Sequence, residues 1–246
     1  MELTGKIALV TGSTSGIGRA TAQALADRGA HVLVSGRDPE RGAQVVQALR
    51  AAGHKADFLA ADLHDADSAR DLAQRAIAAA GRVDILVNNA GIGGFGPTEA
   101  TTEAEFDAMY AINVKVPYFL VAALAPAMAE RGGGAIVNVS TMVAAFGMPG
   151  MALYGSGKAA VNLLTKAWAA EFGPHGVRVN AVSPGPTRTE GTTAMGDGLD
   201  QLASQAPTGR VADANEIAQA VAYLVGDGAS FVQGVVLPVD GGRVAV

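Results

Sequence analysis

The chain has 246 residues, of which 49% are hydrophobic and 17% charged, so it can fill a sizeable core and is unlike a disordered protein. Its 18 basic and 23 acidic residues give a net charge of −5, which offers no basic surface for nucleic acid or an anionic membrane. The lack of cysteine and the 4 scattered histidines exclude disulfides and thiolate zinc sites, and no metal site is predicted.

Short β-branched runs alternate with longer helical patterns along the chain. This alternation is typical of βαβ units that feed a parallel sheet. Several runs are almost wholly apolar, as expected of strands that helices cover on both faces. The predicted strands are Ile7–Thr11, His31–Ser35, Lys55–Ala60, Ile85–Asn88, Ala135–Ser140, Val177–Ser183 and Val235–Val239.

The segments between these strands have the composition and spacing of helices. No linker, charge block or repeat marks a second domain. The sequence therefore predicts an α/β fold: one domain, residues 1–246, with a Rossmann-like doubly wound parallel sheet of about seven strands flanked by helices. The predicted helices are Ile17–Arg28, Glu40–Ala52, Ala66–Ala80, Glu103–Asn113 followed by Val116–Arg131, Leu153–Phe172 and Asn215–Gly226.

The first ten residues lack the charged and long apolar regions of a signal peptide, which predicts a cytoplasmic protein. The uncharged stretch 132–157 is long enough to cross a membrane, but its polar residues and repeated glycines predict no membrane helix.

Residues 185–209 are rich in glycine and threonine and show little periodicity. Because loops at the carboxyl ends of strands bind ligands in open α/β sheets, this segment is a candidate substrate loop and mobile lid. An ordinary surface loop is the alternative.

A glycine-rich turn, residues 12–18, joins the first predicted strand to the first helix. Glycines permit positive φ and let the backbone approach a pyrophosphate, which the free N–H groups of a helix N-terminus bind. A phosphate cradle is therefore predicted, and a turn that only reverses the chain is the alternative. No Gly-Lys-Ser/Thr follows, as a nucleoside-triphosphatase loop requires.

The turn resembles the TGxxxGIG cofactor loop of the short-chain dehydrogenase/reductase family, and further motifs extend the resemblance over nearly the whole chain. In this order and spacing the motifs are specific for this family. They are similar to those of its 3-oxoacyl-carrier-protein-reductase-like members. The matching residues are Asn88-Asn89-Ala90-Gly91 for NNAG, Tyr154 and Lys158 for YxxxK, Pro184-Gly185 with Thr189 for PGxxxT, and Asp240-Gly241-Gly242 for the usual ending.

Tyr154 and Lys158 are four residues apart in a predicted helix and so share one face. A nearby ammonium favours the phenolate, so Lys158 is expected to lower the pKa of Tyr154 and make it an acid/base group. A Tyr and a Lys on a solvated helix face are the alternative.

The resemblance implies that Ser140 orients the substrate carbonyl, that Tyr154 exchanges the proton, that Lys158 also bonds the nicotinamide ribose, and that Asn113 holds a water in a proton relay. Without the resemblance, Ser140 is equally well explained as a strand-end serine that caps its own backbone, and Asn113 as a helix break or kink.

Residues 36 and 37 indicate the nicotinamide cofactor. An NAD enzyme usually places an acidic side chain at the end of the second strand, where this chain has Gly36. The Arg37 guanidinium can pair with the 2′-phosphate of NADP(H), which is favoured; surface pairing with Asp38 or Glu40 is the alternative. NAD(H) stays open because Ser15 stands where the family has another basic residue.

The resemblance implies a larger set of cofactor-binding residues, which follow the strands at one edge of the sheet. They are Gly12, Ser13, Thr14, Ser15, Gly16, Ile17, Gly18, Arg37, Asp62, Leu63, Asn89, Ala90, Gly91, Tyr154, Lys158, Pro184, Gly185, Thr187 and Thr189.

The sequence departs from the family pattern at two places. Gly155 and Gly157 stand where small residues such as alanine are usual, and they are expected to admit a close neighbour, either a helix or a bulky substrate. Arg131 matches one basic residue that docks an acidic carrier protein, but His175 occupies the region of the other, which puts a carrier-bound substrate in doubt.

The sequence thus predicts an NADP(H)-dependent oxidoreductase that moves a hydride between nicotinamide and a ketone or secondary alcohol. A dinucleotide-binding sensor or scaffold without turnover is the alternative. Sugar-nucleotide epimerases and dehydratases fit poorly because they need a longer C-terminal region. By resemblance a homotetramer or homodimer is expected, through the helices at 116–129 and 153–172.

Overall fold

The computed structural model describes residues 2–246 and contains a central sheet of seven parallel strands. Their order, β3-β2-β1-β4-β5-β6-β9, reverses direction between β1 and β4. This confirms the predicted Rossmann-like α/β fold. The strands are β1 Ile7–Val10, β2 His31–Gly36, β3 Ala56–Ala60, β4 Ile85–Asn88, β5 Gly134–Val139, β6 Val177–Pro184, β7 Thr187–Arg188, β8 Ala212–Asp213 and β9 Val236–Val239.

Helices cover both faces of this sheet. On one face, Leu25 and Val221 belong to a buried cluster formed with α1, α2 and α8; on the other, Leu72, Leu120 and Trp168 belong to a cluster formed with α3, α5 and α6. The strands are apolar throughout because both of their faces are buried. The helices are α1 Gly16–Asp27, α2 Pro39–Ala51, α3 Ala66–Ala80, α4 Glu103–Tyr110, α5 Val116–Glu130, α6 Ala152–Phe172, α7 Asp197–Ala203 and α8 Ala214–Val225.

Side-chain caps fix where several helices begin. Asp65, Thr102 and Asp213 each accept a hydrogen bond from a backbone N–H in the first turn of α3, α4 and α8. These contacts satisfy N–H groups that have no partner inside the helix. Helix α1 is different, because its N-cap Ser15 makes no side-chain hydrogen bond.

The chain from 103 to 130 is one continuous helical run rather than the two separate helices predicted. A π-helical turn, Ala111–Lys115, joins α4 to α5. By length and composition alone this run could cross a membrane, as core helices of soluble proteins also can, and in the fold Leu120 and Leu124 are buried in the core.

The predicted loop at 185–209 is more structured than its sequence indicates. It contains β7, which pairs with β8 in a small second sheet, a 3-10 segment at Glu190–Met195, and α7. The 3-10 segment and α7 are both short. Gly191, Gly196 and Gly198 interrupt the apolar spacing from which a helix is predicted.

Candidate active site

A cavity of about 1200 Å3 opens along the carboxyl ends of the central strands. It lies where the strand order reverses, which is the usual ligand site of an open α/β sheet. Its volume exceeds the ~300–1000 Å3 of a pocket for one small ligand, so it has room for an elongated cofactor and a second molecule. All predicted cofactor residues line it except Ser13 and Asp62.

The glycine turn forms one wall of this cavity. Gly12 and Gly16 have φ values of 62° and 52°, in the left-handed region that favours glycine. A Cβ at Gly18 would collide with the Gly12 carbonyl oxygen and the Asn89 amide. The turn therefore brings bare backbone to the cavity, together with the N-terminus of α1, whose N-cap Ser15 makes no side-chain hydrogen bond.

Ser13 points away from the cavity, contrary to its predicted role in cofactor binding. Its buried hydroxyl donates to the Val10 carbonyl at 2.7 Å and accepts from the Ser35 N–H at 2.9 Å. Ser13 thus joins the glycine turn to β2. Asp62 also lies outside the cavity lining, 4.0 Å from the Arg37 guanidinium.

Thr11 and Asn89 hold the ends of β1 and β4 together. The Thr11 hydroxyl accepts from the backbone N–H groups of Asn89 and Ala90, each at 3.0 Å. The Asn89 side chain donates to the carbonyls of Thr11 at 2.8 Å and Gly12 at 3.0 Å. These bonds fasten the NNAG segment to the glycine turn.

Tyr154 and Lys158 lie on one face of α6 and both line the cavity, as predicted. The Lys158 ammonium is 5.9 Å from the centre of the Tyr154 ring. It donates to the Val139 carbonyl at the end of β5, at 2.8 Å, and burial lowers its pKa to about 8. The alternative, in which Tyr154 and Lys158 lie on a solvated helix face, is therefore excluded.

The pKa of Tyr154 departs from expectation. Burial raises it, and hydrogen bonding with the Thr141 side chain opposes this shift. The prediction that Lys158 lowers it is wrong here, because removal of the phenol from water outweighs its neighbours. At neutral pH Tyr154 is therefore a protonated phenol.

Thr141, not Ser140, is the hydroxyl residue beside Tyr154. Ser140 is 3% exposed, and its hydroxyl oxygen is buried without a hydrogen-bond partner. Both residues line the cavity. Side chains alternate sides along an extended backbone, and the extended conformation of Thr141 puts its hydroxyl on the Tyr154 side.

Asn113 lies in the π-helical turn and is 1% exposed. Its side chain accepts from the Ile92 N–H at 3.0 Å and donates to the Ile92 carbonyl at 2.8 Å, so it is not in the cavity lining. A Cβ at Gly91 would lie 2.7 Å from the Asn113 side-chain oxygen and 3.4 Å from the Lys158 nitrogen. Asn113 thus lies near Lys158 and in an irregular part of the helical run, and its role in a water relay stays a prediction.

The two glycines of the YGSGK segment have different surroundings. A Cβ at Gly155 would lie 2.9 Å from the Val143 carbonyl oxygen, so glycine lets α6 approach the 3-10 turn Met142–Ala144. A Cβ at Gly157 would make only an ordinary contact, 3.7 Å from Val114. The expected close neighbour exists at Gly155 and is backbone rather than a helix or substrate.

Two arginines line the end of the cavity next to β2. Arg37 is exposed, and its nearest acidic partner is Asp62 rather than Asp38 or Glu40. Arg41, in the first turn of α2, pairs with Asp38 at 3.3 Å. Sequence reasoning missed Arg41 as a cavity residue.

Gly36 leaves room for the side chain of Thr14 at this end of the cavity. A Cβ at Gly36 would lie 2.6 Å from the Thr14 methyl group. An acidic side chain at position 36 would therefore displace Thr14.

Glu190 bridges the substrate loop and the glycine turn. Its carboxylate accepts from the Gly16 N–H at 2.9 Å and pairs with Arg19 at 2.8 Å. Backbone hydrogen bonding, including that of Gly16, and the Arg19 charge hold the pKa of Glu190 below its usual value. The two walls of the cavity are thus joined by a charged contact.

A family profile described as enoyl-(acyl carrier protein) reductase matches residues 12–243, and a solved structure described as a short-chain dehydrogenase/reductase family protein is 50% identical, with a TM-score of 0.92 and full coverage of both chains. The chain belongs to the short-chain dehydrogenase/reductase family. The resemblance first found in five motifs therefore holds for sequence and fold together.

Other members of the short-chain dehydrogenase/reductase family have different substrates in their names. The 3-oxoacyl-[acyl-carrier-protein] reductase of Thermotoga maritima is 35% identical over 99% of this chain and 100% of its own. A gluconate 5-dehydrogenase from Burkholderia cenocepacia, solved with NADP and tartrate, is 33% identical, with a TM-score of 0.94 over 100% of this chain and 97% of its own. The chain is therefore an oxidoreductase of this family. Its substrate has to be inferred from the residues that line its own cavity.

Glu190→Gln should loosen the loop, because the amide keeps the size of the side chain but loses the ion pair with Arg19. We expect faster amide hydrogen exchange in residues 187–195, measured by mass spectrometry at neutral pH. A carboxylate with a depressed pKa stabilises the fold above its usual pKa and loses that effect as pH falls, so acidification should loosen the same peptides in the unmodified protein. The exposed Glu171→Gln is the control, and equal exchange in both variants would contradict the bridge.

Proposed function

We propose that this protein interconverts a ketone and a secondary alcohol with NADP(H), and that Tyr154 is its general acid/base. The observation that carries this proposal is the position of Tyr154 and Lys158 side by side in the wall of a cavity that also contains the glycine cradle. The Lys158 ammonium is buried, and burial shifts the pKa of both groups, which is typical of a catalytic pair.

The cavity fits a nicotinamide dinucleotide. A Cβ at Gly18 would fill the space against the Gly12 carbonyl. The N-cap Ser15 of α1 makes no side-chain hydrogen bond, and the Gly16 N–H at the start of this helix donates to the Glu190 carboxylate. In the proposed complex the glycine turn holds the diphosphate, and Lys158 bonds the nicotinamide ribose. When bound, the cofactor supplies or accepts the hydride.

Tyr154 gives its phenolic proton to the oxygen of the carbonyl in reduction and takes it back in oxidation. The phenol is protonated at neutral pH and so has a proton to donate. The Lys158 ammonium then stabilises the phenolate that remains.

Thr141 takes the carbonyl-orienting role that the sequence assigned to Ser140. Its hydroxyl meets that of Tyr154, so a substrate oxygen placed between them accepts two hydrogen bonds. Asn113 acts on Lys158 and on the 91–92 backbone, and the water relay of the family is part of the proposal.

A homotetramer is also part of the proposal. The exposed apolar side chains Tyr118 and Leu163 lie on α5 and α6, which are the helices expected to form contacts between subunits, and the exposed Phe106 lies on the neighbouring α4. Such exposed groups support association because water is released when they pack together.

Tyr154→Phe removes the proton donor but keeps the ring. We expect kcat for NADPH-dependent ketone reduction to fall by at least ~10²-fold, while the Kd for NADPH stays nearly constant. Absorbance of the reduced nicotinamide and NADPH fluorescence measure the two quantities. Unchanged turnover would remove Tyr154 from its role, and cofactor binding without turnover in the unmodified protein would favour the sensor or scaffold.

Thr141 and Ser140 can be separated by parallel variants. Thr141→Ala should lower kcat/KM by ~10²-fold, because one hydrogen bond to the developing oxyanion is lost, and Thr141→Ser should restore most of it. Ser140→Ala, the matched control, removes a buried hydroxyl without a protein partner and should have the smaller effect. A larger loss from Ser140→Ala would return the orienting role to Ser140.

Arg37→Ala should weaken NADPH binding by ~10- to 100-fold and change NADH binding little, because only the 2′-phosphate needs the guanidinium. Fluorescence titration of both cofactors measures the ratio. Arg75→Ala, in an exposed ion pair with Asp71 on α3, is the control. An unchanged NADPH/NADH ratio in Arg37→Ala would contradict the NADP(H) preference.

A further inference from the structure

The charged residues that line the cavity are gathered away from its substrate end. Arg37, Asp38 and Arg41 lie beside β2, and Lys158 is the remaining one. The lining contributed by residues 91–95, 139–151 and 184–205 contains no charged side chain. An anionic group on a substrate would therefore find only Lys158, which already bonds the Val139 carbonyl and serves Tyr154.

Charged side chains near this end are engaged elsewhere. Arg243 lies over the Phe146 ring at 4.7 Å and donates to Gln205 at 3.2 Å. Arg188 pairs with Asp200 at 3.1 Å. Neither arginine lines the cavity, and each would have to leave these contacts to reach a substrate carboxylate or phosphate.

The substrate end is instead built from apolar and flexible side chains. Phe95 is 74% exposed and Met195 is 41% exposed, although both line the cavity. Large apolar groups left open at the mouth of a cavity indicate an apolar ligand that covers them. Methionine side chains adapt to the shape of what they contact. The other apolar residues of this end are Met142, Met148, Met151, Leu199 and Leu202.

The polar groups at this end are neutral. Gln201 and Gln205 line the cavity, together with Thr141 and Thr192. Amides and hydroxyls orient a carbonyl or an alcohol by hydrogen bonds, but they do not compensate for the removal of a carboxylate from water.

We infer that the substrate is an uncharged ketone or secondary alcohol with an apolar body, and that carboxylated and phosphorylated carbonyl compounds are discriminated against. This rests on the proposed function, since it concerns what enters the same cavity beside the nicotinamide. The reacting oxygen, held between Thr141 and Tyr154, is the polar group that the site is built to bind.

Two ketones that share one ring test this inference. With NADPH and the full-length protein, 4-methylcyclohexanone should have a kcat/KM at least ~10-fold above that of 4-oxocyclohexanecarboxylate, because the carboxylate must lose its water without gaining a cation. Equal or faster reduction of the carboxylate overturns the inference and leaves the proposed function standing. Reduction of neither ketone, nor of any other in a wider panel, overturns both.

An introduced charge gives a second test. Met195→Lys places an ammonium at an exposed position in the cavity wall and should narrow the ratio between the two ketones several-fold, whereas the matched Met195→Leu should retain it. The ratio within each variant does not depend on how much protein is active. An equal ratio of kcat/KM for the two ketones in both variants would place the substrate body away from Met195. That result would overturn the inference that apolar side chains at the mouth of the cavity contact the substrate.

Discussion

The hydroxyl of Thr11 joins the two halves of the sheet at the point where the strand order reverses. It accepts the N–H groups of Asn89 and Ala90, while the Asn89 side chain binds two carbonyls of the glycine turn. Parallel strands diverge at such a point and leave a crevice, and these bonds set its width. The phosphate cradle on one side and the 91–95 segment on the other therefore have fixed positions relative to each other.

Burial of the Lys158 ammonium lowers the stability of the fold. The pKa of Lys158 is about 8 in the folded protein, below the 10.5 of a free lysine, so the unfolded chain binds this proton more tightly. At neutral pH the buried charge lowers stability by roughly 3 kcal/mol, and this penalty disappears as pH rises through 8 toward 10.5. A residue kept at that cost in a cavity wall has a use there, which agrees with the role assigned to Lys158.

Features of the fold that depend on backbone geometry could be predicted from the sequence. Features of the site that depend on the direction of a side chain could not. The alternation of apolar strand-like runs with helical patterns predicted the parallel sheet, and the glycine spacing predicted the phosphate cradle. Ser13 and Ser140 have plausible spacings, but the Ser13 hydroxyl bonds the backbone of Val10 and Ser35, and the Ser140 hydroxyl is buried without a partner. Thr141, one residue from Ser140, meets Tyr154 because of the extended conformation of residue 141. The rise in the pKa of Tyr154 likewise depends on burial, which a four-residue spacing does not report.

Asn113 links the helical run to a segment without regular structure. Both polar ends of its amide are used by the backbone of Ile92, so this side chain anchors the stretch 91–95, which carries Phe95 to the mouth of the cavity. Loss of that anchor would free one wall of the substrate chamber as well as disturb the neighbourhood of Lys158. A substitution of Asn113 would therefore affect substrate binding and proton transfer together. Slow turnover in such a variant does not by itself identify a water relay.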